Sequence, residues 1–134
     1  MASSDSVPHD TDVISKPTSG SVADNVDRLV ELVQARGMKV FVVIDHSGEA
    51  ARSGLDLRDT KVVIFGSPSA GTPVMQAAPL SALDLPLKVL VWDDDGQTTV
   101  SYLDPDALAR RHHLSAELAG HLAGIGPLTD ALTK

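Results

Sequence analysis

Residues 87 to 103 read LKVLVWDDDGQTTVSYL, and the fold class turns on them. Leu87 to Trp92 and Thr98 to Leu103 are strand-forming runs. The Asp93-Asp94-Asp95-Gly96 segment between them contains an Asp-Gly pair, which suits the positive-φ turn of a tight hairpin. The two runs are therefore expected to pair antiparallel. Upstream, Lys61 to Phe65 (KVVIF) is a further strand closed by Gly66 and Pro68, and Met38 to Asp45 is a β-branched run of the same type. Between Ser21, a capping residue, and Gly37, the residues Val22, Val26, Leu29, Val30 and Val33 recur at helical spacing, which predicts an amphipathic helix over 22–36. A short strand within Asp12 to Thr18, containing Val13 and Ile14, precedes it, and Pro17 places its end at a sheet edge or just before a turn. Ser47 to Ser53 forms one helical turn, and Thr72-Pro73 has the cap-plus-proline chemistry that opens a helix through Ala78. Downstream, Asp104-Pro105-Asp106 opens a helix to His112, and Ser115 caps another to Ala123. Five strands with amphipathic helices predict an α+β layer with one sheet face covered and the other available.

Composition bounds the domain organisation. The chain has 134 residues, of which 43% are apolar and only 3% aromatic, and it carries no cysteine. That length supports one hydrophobic core. Residues 1–11, rich in Ser and Asp, are expected to be a flexible N-terminal tail, 12–123 a single domain, and 124–134, broken by Gly124, Gly126 and Pro127, a C-terminal tail. Trp92 and Tyr102 are expected to pack across the hairpin.

The same numbers exclude chemistry. Without cysteine there is no thiolate nucleophile, redox pair or disulfide framework. A formal net charge of -7 repels phosphate backbones, so nucleic acid is not an expected partner. The N-terminus lacks a basic and apolar leader pattern, and the aliphatic run Val40 to Ile44 is too short for a bilayer. The expectation is a cytoplasmic protein without membrane contact.

Two segments carry candidate chemistry. Gly66 to Gln76 combines glycines, hydroxyls and a helix start, the makings of a cradle in which backbone N–H groups face an anion. Gly66 and Gly71 have P-loop spacing, yet Thr72 stands where that motif needs Lys and Pro68 lacks a donor. Ser67-Pro68-Ser69-Ala70-Gly71 also misses the nucleophile elbow at its first glycine. The segment then reads either as a small-ligand site or as a strand-to-helix connection closed by its own cap. His46, next to Asp45 at a strand end, is a candidate general base, metal ligand or interface histidine. Asp93 to Asp95 lack the alternation of a calcium loop and read as a solvated hairpin tip. His112 and His113 complement the negative end of their helix, and with His121 they make no metal set.

Several of these stretches together resemble the domain of unknown function 302 family. The signatures are Ile44-Asp45-His46, Phe65-Gly66-x-Pro68-x-x-Gly71-Thr72-Pro73-x-Met75-Gln76 and Leu85-Pro86-Leu87-Lys88, over about residues 12 to 123. The resemblance implies a TATA-binding-protein-like fold of β-α-β-β-β-β-α type, its five-stranded sheet antiparallel or mixed with helices on one face, and it implies a homodimer. It implies no reaction. The leading expectation is a homodimeric module that binds a small anionic or apolar ligand, or a partner, without turnover, at Gly66, Ser67, Ser69, Gly71, Thr72, Gln76, His46 and Asp84, with no metal or cofactor. The alternative is a small hydrolase or isomerase using His46 with Ser67, Ser69 or Asp84. A third reading has the dimer interface consume the signature residues.

Overall fold

In the computed structural model, which describes residues 11–134, the chain runs β1 (Val13–Pro17), α1 (Val22–Ala35), β2 (Lys39–Asp45), α2 (His46–Arg52), β3 (Thr60–Gly66) and α3 (Pro68–Ala77). A 3₁₀ turn (Pro79–Leu83) follows, then β4 (Leu87–Asp94), β5 (Gln97–Leu103), α4 (Pro105–Arg111), α5 (Ala116–Gly120) and α6 (Ile125–Thr133). The tail expected over 1–11 lies, apart from Thr11, outside the described residues. The strands form one sheet in the order β1-β5-β4-β3-β2. Every pairing is antiparallel, so the expected α+β fold holds and the mixed option falls away. Asp95 and Gly96 take φ of 51° and 94°, the two positive values of a type I′ turn, and the hairpin they join supplies the central strand β4.

Strand alternation sends Val63, Phe65, Val89, Val91, Val100 and Tyr102 to one face, where α1 covers them with Val26, Leu29 and Val33. α6 completes that core through Ile125, Leu128 and Leu132, all essentially inaccessible to solvent. The expected C-terminal tail is therefore corrected to a core helix. Gly124 serves as N-cap and Pro127 falls in the first turn, where a missing N–H costs nothing. Lys16 of the edge strand fastens this helix, its Nζ donating to Thr129 Oγ1 at 2.7 Å and Asp130 Oδ1 at 2.8 Å. Burial pushes the Lys16 pKa down, but its bonds to Asp130 and Tyr102 outweigh that and leave it raised.

The opposite face carries Val42, Ile64, Val62, Leu90, Trp92 and Leu103, with Val42 and Leu103 more than two-fifths exposed. Trp92 pairs with Thr99 on this face, whereas Tyr102 shares the core face with Val100. The two rings thus lie on opposite sides of the sheet and do not pack across the hairpin as expected; Trp92 Nε1 instead donates to Ser101 Oγ at 2.9 Å. A second cluster, Val74, Leu108 and Leu122 with Leu85, Leu114 and Leu118, joins α3, α4 and α5 beside the sheet end where β3 finishes and β4 starts.

Candidate functional site

His46 stands apart from the other candidates. β2 and β3 pair from Lys39 opposite Gly66 to Asp45 opposite Lys61. His46 and Gly66 are therefore at opposite ends of the sheet, about 20 Å apart for six steps of strand. His46 is solvent-exposed at the first position of α2. Its neighbour explains the local motif. Asp45 Oδ1 accepts from the Gly48 amide at 2.9 Å and the Ser47 hydroxyl at 3.0 Å, capping α2. These bonds, the Gly48 amide foremost, hold the Asp45 pKa below its ordinary value. A Cβ on Gly48 would collide with that carboxylate, so the cap itself requires glycine here. The pairing assumed by the hydrolase or isomerase alternative, His46 with Ser67, Ser69 or Asp84, does not form.

Gly66 to Gln76 is the end of β3 and most of α3, not an open loop. Two prolines compete for the first helical position, and Pro68 takes it rather than Pro73, which sits inside the helix. The amides of Ala70 and Gly71 bond back to the Ser67 carbonyl at 3.0 and 2.8 Å. Those donors are spent within the helix, and Pro68 has none, which leaves little of an anion cradle. The hydroxyls of Ser67 and Ser69 bond each other at 2.9 Å, and Ser67 makes no side-chain cap bond. Thr72 is not the helix cap, and its side chain and that of Gln76 are exposed.

Two cavities at this end of the sheet are lined by these candidates. The smaller, about 150 Å³, lies between the β3–α3 junction and the segment from α5 to α6. Gly66, Ser67 and Gly71 line it with Met38, Met75 and His121, whose Nδ1 donates to the Ala70 carbonyl at 2.8 Å. The larger, about 410 Å³, has its origin in the sheet itself. Pairing between β4 and β5 stops at Leu90 opposite Ser101, although Leu87 continues against β3 and Leu103 against β1. The strands splay, and the gap reaches from Leu90 and Leu103 on the uncovered face to Tyr102 and Ile125 on the core side. Its charged lining residues are Asp84 and Lys88. Leu87 and Ile125 line both cavities and separate them.

Asp84 is held firmly at this cavity. His112 Nε2 donates to its Oδ2 at 2.6 Å, and Arg111 Nε lies 3.4 Å from the same oxygen. His112 therefore closes a hydrogen bond with the turn ahead of β4, beyond any complement to its helix end. The peptide bond from Leu85 to Pro86 is cis. Of the sequence-predicted residues, the structure brings Gly66, Ser67 and Gly71 to the smaller cavity and Asp84 to the larger, while Ser69, Thr72 and Gln76 face solvent. The lining residues Leu90, Leu103 and Tyr102, and the two histidines, were not singled out as ligand contacts. One signal was available: KVLVW in β4 is apolar on both faces, which an antiparallel strand needs only where both faces meet apolar surroundings. Among the described residues no group of three or more His, Cys, Asp or Glu side chains is placed to hold a metal.

A single open antiparallel sheet with helices packed on one face and a splayed central hairpin defines the class of fold. The chain belongs to the family described as Domain of unknown function DUF302, whose model matches residues 14–128. It is similar to a crystal structure of an uncharacterized conserved protein DUF302 from Bacillus stearothermophilus, with a TM-score of 0.78 and 19% identity over 92% of this chain and 97% of that one. It is also similar to proteins named fluoride-specific ion channel FluC 1, from Brucella suis and Brucella abortus, each 35% identical over 125 residues. This chain spans about half of those relatives, 49% and 46% of their lengths, and 90% of itself is covered. Among the described residues no helix is long and apolar enough to cross a membrane.

Proposed function

We propose that this protein is a homodimeric binding module whose ligand is small and predominantly apolar, held in the 410 Å³ cavity between β4 and β5. The observation that carries this reading is the splay itself. A sheet interrupted at its central hairpin gives up backbone pairing, and what it gains is an apolar cavity of the size that binds small molecules. Asp84 and Lys88 would orient a polar end of the ligand. The spent amides of α3 favour this over an anion held by backbone donors. The experiment is a titration with the fluorophore 1-anilinonaphthalene-8-sulfonate, an apolar aromatic body with one sulfonate, followed by displacement with medium-chain alcohols. Saturation at one site per chain, and affinity weakened at least about tenfold by Leu103→Trp, which fills the cavity, is the expected result. Absence of saturable binding would overturn it.

The relatives favour a second, compatible reading, in which the module serves a larger protein. In chains named as fluoride channels it accounts for about half of the length. On this reading its ligand would regulate a separate membrane partner, and the check is whether the matched half of the Brucella suis protein, expressed alone, folds and stays out of the membrane fraction.

A further inference from the structure

The central strand carries a polarity that fits a second copy of this chain. On the uncovered face β4 presents Lys88, Leu90, Trp92 and Asp94 in succession: a cation, two apolar side chains and an anion. Asp59, Asp93 and Asp95 cluster at the hairpin end, where Arg58 lies with its guanidinium 5.9 Å from the Trp92 ring. At the other end Lys88 stands near Arg111, which with His112 is turned onto the Asp84 carboxylate. Such a strand is complementary to itself when turned end for end.

We infer that two copies stack these faces across a twofold axis perpendicular to β4, with Lys88 over the partner's Asp94 and Leu90 over the partner's Trp92. This rests on the homodimer in the proposed function and names its surface. A twofold axis parallel to the strand would instead set Lys88 over Lys88, which like-charge repulsion disfavours. The area suffices. Five strands about 4.8 Å apart and six residues long make a face of about 24 by 20 Å, so two such faces bury about 1,000 Å² at the spacing of about 10 Å usual for stacked sheets, which reaches the lower bound for a specific interface. Stacking also covers the mouth of the sheet cavity, because Leu90 and Leu103 belong to both.

The test is sedimentation equilibrium of the full chain and its charge variants. Lys88→Glu and Asp94→Lys should each weaken dimerisation at least about tenfold, because each creates two repulsive contacts per dimer, and the double variant should restore it to within about threefold. Raising NaCl should weaken the wild-type dimer. Both sites are at the surface, so folding is preserved, and circular dichroism confirms it. A dimer unmoved by either single variant, or a double variant no better than the singles, overturns the antiparallel stack while leaving the homodimer standing. A wild-type chain that stays monomeric overturns both.

Discussion

The Asp84 carboxylate accepts a 2.6 Å bond from His112 Nε2, joining the turn ahead of β4 to the end of α4 across 28 positions of sequence. Both side chains are largely shielded, at 18% and 9% exposure. Removing the acceptor strands His112 and Arg111 beside each other. Asp84→Ala should therefore cost about 1–3 kcal/mol, read from the urea midpoint at constant slope, and Asp84→Asn, which keeps an acceptor, distinctly less.

The C-terminal helix should behave as core. Leu128→Ala, at a fully buried site, should cost about 2–5 kcal/mol, and a chain ending at Gly124 should lose its cooperative melt. A truncated chain with wild-type stability would show that α6 is dispensable.

Gly71 separates a backbone role from a packing role. It lies within α3, and a Cβ there would rest 3.9 Å from the Met75 methyl, ordinary contact. Gly71→Ala should stabilise the fold by about 0.5–1 kcal/mol, through helix propensity alone, and leave fluorophore binding unchanged. Loss of binding would show that a ligand approaches this backbone.

Asp45 links α2 to pH. Its carboxyl, held low by the Gly48 amide and then the Ser47 hydroxyl, contributes stability that is present above the unfolded carboxylate range and is lost as pH falls through the lower folded value. The first turn of α2 should fray from about pH 4 downward, visible as a shift of the Gly48 amide proton, and Asp45→Asn should remove that titration. His46→Ala should leave cavity binding as it was.

How far the sequence reaches depends on the range of the interaction. The hairpin, the 22–36 helix and the first strand are local matters of period and turn chemistry, legible to within two residues, whereas the edge position of that strand is set by the sheet order. Pro68 against Pro73 was not, because both satisfy the same local rule and only the amides returning to the Ser67 carbonyl decide. Pro127 misled in the other direction: as a breaker it suggested a tail, yet in a first turn it is harmless. The candidate site was half visible. Gly66, Ser67, Gly71 and Asp84 meet cavities, but the splay that makes the larger one is a register event between β4 and β5, which the two-faced apolar run of β4 does not locate. The Asp84 to His112 bond is likewise a product of topology.

The splay has a mechanical consequence. The ladder between β4 and β5 runs from Asp94 opposite Gln97 to Leu90 opposite Ser101, so the hairpin is fastened at its turn and parted beyond. Backbone groups that face the gap should exchange their amide hydrogens with solvent ahead of those in the α1-covered core.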